Sequence, residues 1–417
     1  MSTSSRHVVV IGGGVIGAAC AYYLSRSGWQ VTVIDQSGFG SGSSHGNCGF
    51  VCPSHVLPLA EPGMVGQGLR ALFQKNSPLA IRPRMDLALW SWLIHFALRC
   101  NHKDMMAAAR GIQPLLESSL ALYQELIDAE GLDCQWQRKG LLFVYRDKRQ
   151  MDAYAPTDRL LAESFHCPAR RFDGAAVLEL EPALKPGLAG GYLYQDDAHL
   201  RPDRLLQALR QVLEASGVVV REHCGLRGFR RQTGRAVAAD TTQENLVADA
   251  FVVATGAWTP MLADQLGCKV PIQPGKGYSL TMPRPSICPE HPIIFPETRV
   301  AVTPFASAYR LGSTMEFAGY DASLNPDRLQ LLRDGAAPYL KEPECEPIEE
   351  EWYGWRPMTW DSLPIIDRSP IMDNVVIAAG HNMLGLSMAP ATGKLVAELL
   401  GDNPPFLDVK PYRVSRF

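Results

Sequence analysis

The tightest constraint on this chain is a short apolar run that meets a glycine turn near its beginning. His7-Val8-Val9-Val10-Ile11 is β-branched and apolar, and Gly12-Gly13-Gly14-Val15-Ile16-Gly17 follows it. Ala18 to Ser27 then reads as a helix, Gly28 as its stop, and Val31-Thr32-Val33-Ile34-Asp35 as a second apolar strand. This is a βαβ unit whose turn reads G-x-G-x-x-G at Gly12, Gly14 and Gly17. The first glycine permits the tight turn, and the second lets backbone approach a pyrophosphate. The third lets helix and strand pack closely, while the helix N-terminus, with Val15 and Ile16 in its first turn, faces the phosphates. Asp35 closes the second strand, with Gln36 beside it, and is placed to accept hydrogen bonds from a ribose hydroxyl. The motif by itself serves NAD and FAD equally.

At 417 residues the chain is too long for one compact core, so about two domains are expected. A net charge of −3 leaves no electrostatic footprint for nucleic acid. The ten cysteines include no C-x-x-C pair, which fits reduced thiols and a cytoplasmic protein. The glycines stand where a phosphate turn needs them, so the N-terminal apolar run is not read as an export signal. No apolar run reaches bilayer length. The longest, Leu87 to Leu98, is flanked by Arg82, Arg84, Arg99 and Lys103. It reads as a buried or interface helix, with peripheral contact at the inner face of the cytoplasmic membrane as the alternative. His45, Cys48, Cys52 and His55 could in principle ligate zinc, but they lie in a glycine- and serine-rich loop where a cofactor must pass. No metal is expected.

That loop, Gly38 to Gly49, offers hydroxyls and amides to a cofactor through Ser43, Ser44, Asn47, Cys48 and Gly49. Asp104 to Glu130 reads as helical, with Pro114 marking a kink or a new start and Gly131 a stop. Gly140 to Tyr145 reads as a strand, Pro202 to Ser216 as an amphipathic helix, and Val218 to Val220 as a buried strand. Ala250 to Trp258 is a buried strand running into a small-residue turn. Pro271 to Cys345 turns proline-rich with strand-like pieces, and Asn374 to Ala379 with Pro390 to Leu400 forms a closing βα unit. The expected fold is α/β plus α+β. A Rossmann-like nucleotide domain, discontinuous in sequence, takes 1–55, 156–270 and 352–417. A substrate domain on a mostly antiparallel sheet takes 56–155 and 271–351.

The first βαβ unit, the Ser43–Gly49 loop, Ala254-Thr255-Gly256-Ala257-Trp258, Trp355-Arg356-Pro357-Met358-Thr359 and Gly380-His381-Asn382 follow in this order. Together they resemble the FAD-dependent amino-acid oxidoreductases of the glycine oxidase, sarcosine oxidase and D-amino acid dehydrogenase group, over almost the whole chain. Pro78-Leu79-Ala80-Ile81-Arg82-Pro83, Lys276-Gly277-Tyr278-Ser279-Leu280 and Met315 to Asp321 add likeness to the bacterial D-amino acid dehydrogenases. The resemblance implies FAD rather than NAD. It adds Leu226, Ala254, Thr255, Gly256 and Trp258 to the expected cofactor contacts, with Gly380, His381, Asn382, Met383, Leu384 and Gly385 at the flavin end.

The implied reaction is hydride removal from an amino-acid Cα, leaving an imine that water hydrolyses. It needs a carboxylate anchor and positive potential near the flavin. Arg356 is the expected anchor, because a guanidinium fork matches a carboxylate and the family's G-x-R-P arginine does this work. Tyr278 is the first hydroxyl partner considered, with Tyr309 behind it; each also reads as a structural sheet tyrosine. The last helix should aim backbone N–H groups at the flavin, and His381 either adds charge or is simply a satisfied turn residue. Glycine oxidases carry an arginine where this chain has Met383, so their specificity is not carried over. No cysteine neighbours Arg356 or Pro357 in sequence, unlike the flavin-tethering cysteine of sarcosine oxidases, so FAD is expected to be noncovalent. The expected substrate is a small neutral D-amino acid, with D-proline or 4-hydroxy-D-proline foremost. The expected acceptor is a quinone or the respiratory chain. The rivals are an oxygen-using amine oxidase and a flavin subunit of a heteromeric dehydrogenase.

Overall fold

The computed structural model describes residues 6–66, 68, 77, 79–82, 84–401 and 403–417; Pro78 and Pro83 of the run quoted above lie outside them. The opening unit forms as its pattern demands. Strands His7–Ile11 and Gln30–Ile34 pair in parallel, and helix Val15–Arg26 between them starts directly after Gly14. They belong to a six-stranded sheet that Ala250–Val253, Met372–Ala379 and Ile365–Ser369 extend on one side. Val219–Arg221 extends it on the other. This strand is an edge, with Val219 48% exposed, so the expected buried strand at 218–220 is not buried; only Val218 is. Edge position removes one neighbour and with it one covering face.

Helix Val15–Arg26 lies against the last helix, Gly385–Leu400, which begins five residues earlier than Pro390. They approach closely because Gly393 has no Cβ: one added there would stand 2.5 Å from the Ala19 carbonyl. The helix His102–Glu130 runs unbroken through Pro114 and ends at Gly131, whose φ of 61° is left-handed. It docks on the last helix through Tyr123 Oη, which donates to the Leu386 carbonyl at 2.8 Å, and through Ser119 Oγ, which accepts from Ala391 N at 3.1 Å. This long helix, placed by sequence in the substrate part, therefore shares the nucleotide domain's core.

The second sheet has nine strands. Glu350–Thr359, Ile272–Met282, Tyr309–Phe317, Val300–Pro304 and Ile293–Phe295 run antiparallel in that order. Leu141–Tyr145 continues it in parallel, then Gly190–Tyr194 and Arg170–Asp173 antiparallel, and Leu79–Ile81 adds in parallel to Tyr309–Phe317. Strands at 170–173 and 190–194 thus join this sheet rather than the nucleotide part, as does the start of the closing segment at 350–359.

Helix Leu87–Arg99 is buried along one stripe alone. Only Leu89 and Trp92 are buried, against Met315, Phe317 and Met358. Met85, Leu87, Trp90, Ile94 and Leu98 are exposed, an apolar stripe facing outward. Among the described residues no helix is long and apolar enough to cross a membrane.

Candidate active site at the junction of the two sheets

A single cavity of about 640 Å³ runs from the glycine turn to the second sheet. Its narrow end is made by backbone. Gly12, at φ 107°, lies so close to the neighbouring strand that a Cβ would stand 2.4 Å from the Ala254 carbonyl. Gly17 has no cavity surface; a Cβ there would strike the Gly12 carbonyl, so it packs helix against turn. Asp35 faces the cavity and braces the turn, accepting from Gly13 N at 2.7 Å and Ser37 N at 2.8 Å. Ser44 Oγ accepts from Val15 N, the first amide of the helix, at 3.1 Å. Gly14, Ile16, Gln36, Leu226, Ala254, Thr255, Gly256 and Trp258 complete this end.

At the other end the loop carrying Ser43, Ser44, Asn47 and Cys48 crosses to the second sheet. Ser43 Oγ donates to the Trp355 carbonyl. Arg310, 1% exposed, donates to the carbonyls of Asn47 (2.7 Å) and His45 (3.1 Å), and Thr303 Oγ1 donates to that of Cys48 at 2.6 Å. Gly49 sits behind the wall at φ 83°, where a Cβ would meet the Leu200 carbonyl. The four suspected zinc ligands part company here. His45 Nε2 pairs with Glu350 at 2.7 Å, Cys48 packs on Gly312, Cys52 is buried beside Asp197, and the His55 ring rests near Phe143.

Arg356 projects into the cavity from strand Glu350–Thr359, over Gly277, where a Cβ would stand 2.4 Å from its guanidinium carbon. It donates to the carbonyls of Thr314 (2.8 Å) and Ser313 (3.1 Å). Those carbonyls are aimed by an irregularity: pairing with Ile272–Met282 shifts register between Lys276 and Tyr278, and Ser313 and Thr314 take φ values of 116° and 33°. Such bulges re-aim groups beside sites and cost about 1–3 kcal/mol per strained residue. Two of five guanidinium N–H groups are thereby used, leaving donors for a carboxylate.

The tyrosines separate. The Tyr278 ring lines the cavity, but its hydroxyl donates to Glu316 at 2.7 Å, and Glu316 in turn pairs with Arg82 at 2.6 Å. Tyr309 has no cavity surface: fully buried, it donates to the Pro343 carbonyl at 3.2 Å in the core of the second sheet. Successive strand residues face opposite sides, so the residue this strand turns to the cofactor loop is Arg310.

The closing turn is welded to the same strand. Asn382 N donates to the Pro357 carbonyl at 3.1 Å, and Asn382 Oδ1 accepts from Thr359 N at 2.9 Å. His381, Asn382, Met383, Leu384 and Gly385 line the cavity, while Gly380 stands behind them at φ 78°. His381 is 2% exposed and shares a 3.0 Å hydrogen bond with Thr392 Oγ1; burial lowers its pKa to about 3. A neutral imidazole adds no positive charge, so any favourable potential here comes from the N-terminal amides of Gly385–Leu400. Cys48 shares the cavity with Arg356, a spatial neighbour that sequence proximity missed; burial raises its thiol pKa despite the nearby guanidinium.

A glycine cradle, an acid at the end of the second strand and a helix N-terminus at the far end fit a long dinucleotide. The family model for FAD dependent oxidoreductases matches residues 7–399, and the chain belongs to that family. Its cofactor is FAD. The chain is 31% identical to a D-amino acid dehydrogenase of Granulibacter bethesdensis, over 98% of this chain and 99% of that one. It is 32% identical to a D-amino acid dehydrogenase of Methylobacterium nodulans, over 95% and 96%. Its fold matches a crystal structure of glycine oxidase from Geobacillus kaustophilus with a TM-score of 0.80, at 22% identity, covering 99% and 100% of the two chains. It is an FAD-dependent amino-acid oxidoreductase.

Proposed function

We propose that the enzyme oxidatively deaminates a small neutral D-amino acid, with D-proline or 4-hydroxy-D-proline foremost. The observation that carries this reading is Arg356, held over Gly277 by two strained carbonyls with donors to spare. The guanidinium takes the substrate carboxylate in a bidentate grip. The wall beyond it, with Phe50, Leu57, Leu59, Ile294 and Ala301, carries no acid and suits a small uncharged side chain. Met383, 42% exposed at the cavity, supplies no second cation. The dehydrogenases named above support the D-configuration.

Bound FAD would supply the hydride acceptor for oxidation of the substrate's Cα–N bond to an imine, which water can hydrolyse. The protein's part is to orient the substrate from Arg356 and to present the amides at the start of Gly385–Leu400. Asp35 and the glycine cradle hold the adenosine and pyrophosphate end. The cofactor is held noncovalently, in keeping with a Cys48 thiol that burial keeps protonated.

The electron acceptor in this reading is a quinone or other respiratory carrier, reached at a membrane surface. Leu87, Trp90, Ile94 and Leu98 form one outward stripe, framed by Lys103 and by Arg82, Arg84 and Arg99, which pair with Glu316 and Asp321, with Asp86 and with Asp104 respectively. A tryptophan-bearing apolar stripe with basic flanks suits the interface of an anionic bilayer.

Anaerobic mixing of holoenzyme with a panel of D- and L-amino acids tests the proposal. Bleaching of the flavin absorbance by small D-amino acids, and by cyclic ones fastest, is the expected result. Bleaching by L-amino acids or sarcosine alone would exclude it.

A further inference from the structure

Several polar side chains of the cavity have no hydrogen-bonding partner among the described residues: Trp355 Nε1 and Ser362 Oγ are fully enclosed, and His55 joins them as a group that can both donate and accept. The His55 ring lines the cavity, and neither ring nitrogen meets a donor or acceptor of the protein. Its one ring contact is Phe143, with centroids 6.1 Å apart at 39°. Enclosure without a compensating partner lowers its pKa to about 4, so at neutral pH it offers one N–H donor and one bare nitrogen acceptor.

The segment that presents this ring is pinned on both sides. Ser54 N and Oγ donate to Asp197 at 3.1 and 2.5 Å. Cys52 N reaches Ser387 Oγ at 3.4 Å, and that hydroxyl donates to the Phe50 carbonyl at 2.8 Å. The segment that carries the ring is therefore held in place rather than being a free loop.

Its position relative to Arg356 follows from the sheet register. Phe143 pairs with Ile294, Ile294 with Ala301, and Ala301 with Gly312, next to Ser313. The Arg356 guanidinium reaches the Ser313 carbonyl, so two strand spacings, about 10 Å, separate that strand from the one bearing Ile294, and three, about 14 Å, from the one bearing Phe143. A five-membered ring or short chain of about 5 Å, with a hydrogen bond of roughly 2.9 Å at each end, spans about 11 Å, and the remainder is within the 6.1 Å that separates the His55 ring from that of Phe143.

We infer that His55 is the subsite for the substrate's side chain, hydrogen-bonding a hydroxyl carried away from Cα and so favouring hydroxylated small amino acids over their aliphatic counterparts. Apolar Ile294 and Ala301 enclose the ring carbons, and the imidazole receives the polar tip. This rests on the proposal that Arg356 takes the substrate carboxylate. It assigns His55 a role in specificity and none in hydride transfer.

Two measurements on holoenzyme test it. The first compares anaerobic flavin reduction by D-proline and 4-hydroxy-D-proline, and by D-norvaline and 4-hydroxy-D-norvaline, in wild type, His55→Phe and His55→Gln. In His55→Phe, kcat/KM for the hydroxylated member of each pair should fall roughly 2- to 12-fold, the range of one neutral hydrogen bond. The aliphatic member should change less than twofold, and His55→Gln should recover part of the loss. The second titrates two acids that cannot be deaminated, cyclopentanecarboxylate and 3-hydroxycyclopentanecarboxylate, and follows perturbation of the flavin spectrum. Wild type should bind the hydroxy acid more tightly, and His55→Phe should erase that difference. If no D-amino acid bleaches the flavin but the acids are still discriminated through His55, the subsite stands and the D-amino acid reading falls. Equal loss for both members of a pair, no change in either, or no perturbation by either acid would overturn the inference.

Discussion

At the scale of single residues, two side chains that look alike on paper part in the folded protein. Arg356 stands in the cavity with unused donors, whereas Tyr309 is spent on the Pro343 carbonyl. Arg356→Ala should raise KM by about 10- to 150-fold, since a charged hydrogen-bonded contact is worth roughly 1.5–3 kcal/mol. Steady-state kinetics with a dye acceptor check this, and an unchanged KM would place the carboxylate elsewhere. Tyr309→Phe should leave kcat and KM within twofold and lower stability by only about 0.5–1.5 kcal/mol, read from denaturant melts. A large kinetic loss would return that hydroxyl to the site. The G-x-R-P arginine was legible in sequence through its resemblance to the family's motif, and a guanidinium fork matches a carboxylate. Its supports were not: Ser313 and Thr314 matter through carbonyls, which every residue has, and only their positive φ marks them. Arg310 carried no signal beyond being charged inside a strand. One step of strand alternation decides that it, and not Tyr309, meets the cofactor loop.

At the scale of elements, the helices show where periodicity suffices and where it does not. His102–Glu130 was visible in its apolar spacing and its terminal glycine, and Pro114 did not break it. The apolar content of Leu87–Arg99 was equally visible, but content does not reveal which face is covered. Trp92 and Leu89 found the second sheet, and the opposite stripe found nothing among the described residues. If that stripe meets a bilayer, Trp90→Asp with Ile94→Asp should reduce co-sedimentation with anionic vesicles at least tenfold, by removing apolar area worth roughly 25 cal/mol per Å². Dye-linked activity should stay within twofold, because neither side chain reaches the cavity. Undiminished vesicle binding by this variant would assign membrane contact to another surface.

At the scale of the whole molecule, the cavity exists only because two sheets meet, and a buried carboxylate sits at that meeting. Asp197, 1% exposed, lies between strands of the second sheet and the segment that leaves the cofactor loop. Burial raises its pKa to about 7, with the Ser54 hydrogen bonds opposing. The unfolded chain releases this proton near the ordinary carboxylate value of 3.8, while the folded chain keeps it to about pH 7. Folded protein binds more protons across that window, so this group's contribution to stability falls as pH rises through it, by about 1.4 kcal/mol per unit, and levels off above it. Asp197→Asn should remove this slope. The stability difference between variant and wild type should grow in the variant's favour from pH 5 to 7 in urea melts of holoenzyme. A difference independent of pH would show that Asp197 titrates normally.

The sequence by itself determined the nucleotide cradle and the order of the elements, because local chemistry allows so few residues in those roles, and the resemblance to the family's G-x-R-P motif singled out the proposed arginine. A turn that passes within a Cβ radius of the next strand admits only glycine, and Gly12 and Gly17 announced it. Tertiary structure alone decided which side chains share the cavity. Cys48 and His55 share it with Arg356 and with a neutral His381, which lie about three hundred positions further along the chain. Burial and register, which set their charge and reach, come from the way the second sheet folds back onto the first.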